Sequence, residues 1–189
     1  SLVVRETEHR PGFRVGRRLT KIGQHISDTA ELFFEDLRIP VTQLLGGIEG
    51  QGFKQLMSQL PYERTLLAVS AATAIEMAVE LTVDYTQQRK AFGQTIADFQ
   101  NTRFKLAECA TTAHVVRSFV NDCIQRLLDG TLENEAAYMA KWWCSEQQCK
   151  VMDECLQLFG GYGFMEEYPI ARMYTDARIQ KIYGGTNEI

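Results

Sequence analysis

The chain has 189 residues, of which 45% are hydrophobic and 23% are charged, and its formal net charge is −4. This length is enough for one sizeable core, or for one core and part of another domain. The acidic balance argues against nucleic acid as a partner. The sequence shows no uninterrupted run of about eighteen apolar residues, so we expect no membrane span.

The five cysteines are interpreted as reduced thiols buried on helix faces, where they act as small apolar side chains. They are Cys109, Cys123, Cys144, Cys149 and Cys155. No C-x-x-C pair is present and the three histidines are scattered, so the sequence predicts no metal site. An odd number of cysteines without zinc spacing also fits a reducing compartment.

Residues 1–45 contain three short β-prone segments, at 2–5, 12–15 and 31–34, separated by turn residues. Three strands without partners make a poor independent sheet. Because the sequence begins inside one of these segments, we interpret residues 1–45 as the C-terminal remnant of a β domain. Residues 46–189 are then a helical domain that is truncated at its end.

Long helices are predicted after residue 50, because glycine is rare there and Ala, Leu, Glu, Gln and Lys are frequent. Gly93 and Gly130 divide this stretch, and Asp98 is expected to cap the second helix. The predicted helices cover 51–88, 98–128, 134–159 and 169–178. The fold class is therefore mainly α, an antiparallel up-and-down four-helix bundle preceded by the terminal strands of a β domain.

Glu63 is the most informative single residue on the first helix. At about 100° per residue, four apolar side chains fall within about 40° of it on a helical wheel. They are Leu56, Leu67, Ala74 and Leu81. A carboxylate on an apolar stripe is costly unless it is paired, so the pattern predicts either a general base or a buried ion pair with an arginine.

Two glycine-containing loops and one cationic segment could bind an anionic ligand. The segment 89–93 places Arg89 and Phe92 after the first helix. Arg89 could bind a diphosphate and Phe92 a flat ring, or the cations of this segment could simply stabilise the helix C-terminus. Gly160 and Gly161 would let backbone amides approach a phosphate, or would only end a helix. The closing run 182–189 has the same ambiguity.

Taken in order along the chain, these segments resemble the acyl-CoA dehydrogenase family. The stretch 28–40 is similar to the last strand of the family's β domain, and 88–93 with 98–100 is similar to its flavin-diphosphate segment. The run 157–163 resembles the segment that meets the adenine end of the flavin from a neighbouring subunit, and 182–189 resembles the loop over flavin and thioester. The long-chain branch looks closest, because it shares both Leu60-Pro61-x-Glu63-Arg64 and the run from Tyr183 to Glu188.

The resemblance implies a FAD-dependent enzyme that converts an acyl-CoA to a trans-2-enoyl-CoA. A carboxylate removes the α-proton, the β-hydrogen leaves as hydride to the flavin, and the electrons pass to an electron-transferring flavoprotein. In most of the family the catalytic glutamate directly follows the tyrosine of an I-Y-E-G-T motif. That position is Gly184 here, whereas branches such as the long-chain and isovaleryl types place the glutamate on the first bundle helix, where this chain has Glu63.

The resemblance also implies the other site residues. Arg64, Tyr183, Gly184 and Gly185 would bind substrate. The implied cofactor-binding residues are Arg89, Phe92, Gln100, Gln157, Gly160, Gly161, Thr186, Asn187 and Glu188. Of these, 157–161 would contact the flavin across the interface of a homodimer or homotetramer, and the truncated chain alone is expected to be inactive.

Two alternatives stay open at this stage. An acyl-CoA oxidase would use the same chemistry but pass its electrons to oxygen. A non-catalytic helical oligomerisation module would need the long amphipathic helices, but it would not need Glu63 or the ligand-type loops. The expected location is cytoplasmic for a bacterial source and the mitochondrial matrix for a eukaryotic one.

Overall fold

The computed structural model describes residues 1–7 and 11–189, which form two compact units, Ser1–Leu60 and Pro61–Ile189. The first unit contains an antiparallel pair of strands, β1 (Phe13–Arg18) and β2 (Ala30–Phe34). The large apolar side chains of β2 are exposed, as expected for a sheet of two strands. The domain boundary proposed near residue 45 stays a prediction.

The structure changes the predicted strands in two places. Residues 2–5 do not form a strand, because Val3 makes only an isolated bridge to Leu44. Leu44 is extended but directly follows a 3-10 turn, Val41–Gln43, so the extended backbone there is too short for a continuous ladder. β1 begins at Phe13 and runs to Arg18, past the predicted end at residue 15, with a register shift against β2 after Val15.

Four α-helices make up most of the remaining chain, and the predicted helical fold is confirmed. Their observed bounds lie within two residues of the predicted ones. They are α1 (Gly52–Gln88), α2 (Gln100–Leu128), α3 (Asn134–Phe159) and α4 (Pro169–Ala177). A small hairpin, β3 (Lys90–Ala91) and β4 (Gln94–Thr95), joins α1 to α2, and 3-10 turns cover Ile96–Asp98, Gly160–Phe164 and Arg178–Lys181.

The helix ends show which capping predictions were right. Gly130 lies at φ 68° after α2, and the amides of Gly130 and Thr131 return to the carbonyls of Leu127 and Arg126, which is a Schellman ending. The prediction that Asp98 caps α2 is wrong. Its carboxylate accepts hydrogen bonds from Thr95 instead and closes the preceding 3-10 turn.

The core lies in the second unit and consists mostly of small side chains. Its buried residues include Ala68, Ala71, Ala72, Ile75, Val116, Val120, Ala140, Cys144 and Met152. Small residues let helices approach closely, and α3 packs against both α2 and α4. All five cysteines are free, and only Cys149 is not fully buried, which confirms the interpretation as core thiols.

Side chains tie α1 to the other two long helices. Arg117 of α2 forms a two-pronged ion pair with Glu76 of α1, with its Nε 2.7 Å and its Nη2 2.6 Å from the two carboxylate oxygens. The hydrogen bond from Arg117 lowers the pKa of Glu76. Tyr85 of α1 stacks on Phe159 of α3 with ring centroids 4.1 Å apart.

Within the described residues, α1 is the one helix whose length and hydropathy would allow it to cross a membrane. Core helices of water-soluble proteins meet the same criterion. A continuous face of α1, from Ala68 through Ala71, Ala72 and Ile75 to Ala78, is buried inside this unit, so packing accounts for part of the apolar character of the helix.

Candidate active site

Glu63 lies on an exposed face of α1, as the third residue of the part of this helix that belongs to the second unit. The buried face begins at Thr65 and Ala68 and is rotated by roughly 120° from Glu63, at about 100° per residue. The expectation that Glu63 is buried or ion-paired within this chain is therefore wrong. Among the described residues, the Glu63 carboxylate accepts no hydrogen bond and forms no salt bridge.

The Glu63 carboxylate nevertheless faces the closing loop. A Cβ placed on Gly184 would lie 4.0 Å from Glu63 Oε1 and 2.7 Å from Leu67 Cδ1. Gly184 sits at φ 66°, a conformation that favours glycine. The structure thus brings Glu63 beside Gly184, the loop position that has no side chain. The two segments are far apart in sequence, since Arg64, the residue after Glu63, is 120 residues from Gly184.

Arg64 is held by the same loop. Its Nε donates to the Gly184 carbonyl at 2.9 Å, and its guanidinium carbon lies 4.3 Å from the centre of the Tyr138 ring, a cation–π arrangement. A Cβ on Gly185 would come within 2.7 Å of Arg64 Nη2. Substrate contact by Arg64 stays a prediction, but the contacts show that this side chain also supports the loop.

The rest of the closing loop is anchored to α3 by a polar network. Asn187 Oδ1 accepts from Lys141 at 2.8 Å, and Asn187 Nδ2 donates to Ser145 at 2.9 Å and Glu146 at 3.0 Å. Both ends of the Asn187 side chain are thus engaged inside the chain. A flavin contact at this residue stays a prediction, and it would come from the backbone carbonyl, because the backbone amide donates to the Lys181 carbonyl.

The remaining loop residues are more accessible. Tyr183 is 38% exposed, and burial of the rest of its ring raises the pKa of its hydroxyl. Glu188 is exposed, and hydrogen bonds from its own backbone and from the Thr186 hydroxyl lower its pKa. Their predicted substrate and cofactor roles remain compatible with these positions.

A second group of predicted residues lines a separate cavity of about 630 Å³ at the far end of α1 and α3. Arg89, Gln157, Gly160 and Gly161 all contribute to its wall. Gly160 ends α3 at φ 59°, and a Cβ on either glycine would meet no atom within 4 Å. The glycine backbone is therefore open to the cavity.

Arg89 supplies the positive charge of this cavity. Its guanidinium carbon lies 5.2 Å from the centre of the Tyr162 ring, which leaves its nitrogens available to an anion. Tyr85 forms another part of the wall and donates a hydrogen bond to the Phe159 carbonyl at 3.2 Å. A guanidinium beside open glycine backbone is a combination that suits a diphosphate.

The other two predicted cofactor residues do not line this cavity. Phe92 sits at the tip of the β3–β4 hairpin at φ 52°, and its side chain is 94% exposed. Gln100 is the exposed first residue of α2. An aromatic residue with positive φ is uncommon, and the two-residue turn that Phe92 forms with Gly93 holds it there.

The sequence reasoning missed the α3 side of the closing loop, where Lys141, Ser145 and Glu146 hold Asn187. Lys141 is only 3% exposed, and it continues the buried stripe of α3 that includes Ala137, Ala140 and Cys144. A lysine on an apolar helix stripe is the same signal that drew attention to Glu63, so this residue could have been found.

Comparison with known proteins agrees with the observed fold. Residues 50–189 match the family described as acyl-CoA dehydrogenase, C-terminal domain. The chain belongs to the acyl-CoA dehydrogenase family. It is 54% identical over 178 residues to the long-chain specific acyl-CoA dehydrogenase, mitochondrial, of Sus scrofa, a match that covers 94% of this chain and 41% of that protein.

Two solved structures from the family show the same architecture. The crystal structure of an acyl-CoA dehydrogenase from Geobacillus kaustophilus has a TM-score of 0.95 at 47% identity and covers 100% of this chain and 49% of that one. An acyl-CoA dehydrogenase complexed with FAD, from Bacillus anthracis, has a TM-score of 0.86 at 32% identity, with 96% of this chain and 34% of that one covered. The chain thus spans less than half the length of these relatives.

Proposed function

We propose that this chain forms the C-terminal part of an acyl-CoA dehydrogenase, an enzyme that oxidises an acyl-CoA thioester to a trans-2-enoyl-CoA. The observation that carries the proposal is the position of Glu63 beside Gly184. A family member whose loop lacks the usual glutamate needs a carboxylate from elsewhere, and Glu63 Oε1 lies 4.0 Å from the point where a side chain of residue 184 would begin.

The proposed chemistry gives each nearby residue a simple task. Glu63 takes the α-proton of the substrate, and its exposed carboxylate is free to do so because no group in the described chain occupies it. The backbone around Gly184 and Gly185 lines the thioester end of the substrate. Arg64 holds the Gly184 carbonyl and so keeps the loop facing Glu63.

FAD is the proposed cofactor, and it supplies the acceptor for the β-hydrogen, which leaves the substrate as hydride. The cavity that holds Arg89, Gln157, Gly160 and Gly161 fits the diphosphate and adenine end of this cofactor, because it pairs a guanidinium with open glycine backbone. Phe92 and Gln100 would contribute from the neighbouring hairpin and the start of α2.

The predicted site residues form two clusters, and each cluster lines a different cavity of the chain. The first contains Arg64, Gly185, Thr186 and Asn187, and the second contains Arg89 with 157–161. If residues 157–161 bind a flavin that is held mainly by a neighbouring subunit, Arg89 should bind the same flavin, because Arg89 lines the same cavity as these residues. Each complete site would then require two copies of the chain.

Self-association is therefore an expected property of the chain. Large apolar side chains remain exposed on the long helices, among them Phe104, Val115, Leu128, Met139 and Trp142. Such surface favours a closed homodimer or homotetramer packed through the helices. Light scattering should give a mass of at least a dimer at a chain concentration of about tens of micromolar, at which stable interfaces form. A monomer alone under these conditions would contradict the expectation.

The proposed electron acceptor is an electron-transferring flavoprotein, and the test of the proposed function also separates the oxidase alternative. A full-length protein that includes this chain would be incubated with a panel of saturated acyl-CoA thioesters and an artificial electron acceptor. We expect enoyl-CoA to form, with little hydrogen peroxide when oxygen is the only acceptor. Stoichiometric peroxide would show an oxidase, and no enoyl-CoA from any substrate would overturn the proposal.

The similarity to the mitochondrial pig protein extends the proposal to substrate and location. We place the preferred substrate among long-chain acyl-CoA thioesters, because the relative that is 54% identical to this chain is the long-chain specific protein. The proposed location is the mitochondrial matrix for a eukaryotic source and the cytoplasm for a bacterial one.

A further inference from the structure

The most unusual charged group outside the predicted site is the ammonium of Lys141. It lies in the N-terminal third of α3 and is 3% exposed. Burying a charge is costly unless hydrogen bonds replace its water. No carboxylate in the described chain pairs with it directly. Its Nζ instead donates to the Gly185 carbonyl at 2.6 Å and to Asn187 Oδ1 at 2.8 Å.

This placement differs from that of an ordinary core residue. Burial, and after it the nearby Arg64 guanidinium, lowers the pKa of Lys141, while Glu188 and Glu146 act in the opposite direction. If packing were the only role of this residue, an apolar side chain of similar volume would avoid the desolvation cost of the buried charge. Both groups that Lys141 binds belong to the closing loop.

The loop needs such a restraint because two successive residues, Gly184 and Gly185, lie at φ 66° and 94°. Glycine reaches these angles easily, but it also has the largest conformational freedom to lose. Arg64 from α1 holds the Gly184 carbonyl at 2.9 Å, and Lys141 from α3 holds the next carbonyl. Two cations from two helices thus fix two consecutive peptide groups.

We propose that Lys141 is a positioning residue that locks the Gly184–Gly185 turn beside Glu63, so that the catalytic carboxylate and the thioester-lining backbone are held in register. This inference rests on the proposed function for its catalytic consequence. Its structural part, the restraint of the loop, stands on the contacts alone. Among the described residues Lys141 makes no hydrogen bond or ion pair with Glu63, and it acts through its contacts to the loop.

The test uses Lys141→Met in the full-length protein that includes this chain, with Lys150→Met as the matched control, because Lys150 lies exposed on the same helix. Hydrogen exchange is read at the amides of Asn187 and Ile189, which donate to the carbonyls of Lys181 and Thr186 within the loop. We expect Lys141→Met to speed exchange there by about tenfold or more, with exchange in the centre of α3 unchanged. Lys150→Met should leave both unchanged.

Turnover gives the second readout. For Lys141→Met we expect kcat to fall by about tenfold or more while KM changes less, because the loss falls on alignment rather than on uniform binding. If that variant does not fold, Asn187→Ala removes one of the two Lys141 contacts, together with the Asn187 contacts to Ser145 and Glu146, and should show the same local exchange increase. Unchanged loop exchange in the folded variant, or an equal increase throughout the chain, would overturn the proposal. A wild-type enzyme without dehydrogenase activity would instead refute the proposed function, and the exchange result would still stand.

Discussion

Replacing Glu63 with Gln in a full-length protein that includes this chain is expected to reduce turnover by at least about a hundredfold, because general-base catalysis contributes about 10²–10⁴-fold. The amide has almost the shape of the carboxylate but cannot accept the α-proton. Flavin binding should remain nearly intact, since the cavity that contains Arg89 does not include Glu63.

Glu80→Gln provides the matched control for this experiment. Glu80 is exposed on the same helix and lies far along α1 from the closing loop, so its replacement should leave turnover unchanged. If Glu63→Gln keeps more than about a tenth of normal turnover when chemistry limits the rate, the assignment of the base is wrong. Glu188 would then be the next carboxylate to replace, and the non-catalytic module would regain support if activity survived that change too.

The second large effect concerns the cofactor. The 189-residue chain by itself should be colourless and inactive after purification, because it spans less than half the length of its relatives and carries only part of the proposed flavin site. Binding energy is divided among the regions of a ligand, so losing the region that holds the isoalloxazine ring should weaken FAD affinity by orders of magnitude.

Absorbance spectroscopy of the purified chain checks this expectation directly. The full-length protein prepared in the same way serves as the positive control and should be yellow. In that protein Arg89→Gln should reduce the retained flavin, since it removes the only positive charge placed in the described cavity wall. A stoichiometric flavin spectrum from the 189-residue chain would contradict the prediction.

Helices α1 to α4 could be predicted closely because local chemistry determines where they end. Gly130 supplies the left-handed residue that a Schellman ending requires, and Pro169 opens α4. The prediction for Asp98 was wrong because Thr95, three residues earlier, donates to the same carboxylate and closes a 3-10 turn with it. That competition between two capping arrangements is not visible in propensities.

The candidate site could be predicted only in part, because its geometry depends on packing between distant segments. A helical wheel placed Glu63 with Leu67, and Leu67 does lie beside the loop, but the wheel could not tell which apolar stripe of α1 would be buried. In the structure, the stripe of small residues around Ala71 and Ile75 is the one buried in the core. The meeting of Arg89 with Gly160 follows from the pairing of α1 with α3, which no local pattern specifies.

Moving the carboxylate from the helix to the loop tests the central claim most directly. Glu63→Gly should reduce turnover by at least about a hundredfold, and the double change Glu63→Gly with Gly184→Glu should restore part of it with an altered chain-length preference. The restored rate should stay below that of the wild type. Residue 184 has positive φ, and a Cβ there meets Leu67 Cδ1 at 2.7 Å.

The decisive measurement is therefore the turnover of the double variant relative to Glu63→Gly alone, in the full-length protein with flavin bound and with a panel of acyl-CoA substrates. We predict a rate at least about tenfold above that of the single variant, because a carboxylate at residue 184 would begin beside the space that Glu63 Oε1 now occupies. A folded, flavin-loaded double variant that is no more active than Glu63→Gly would contradict the assignment of these two positions to one catalytic role.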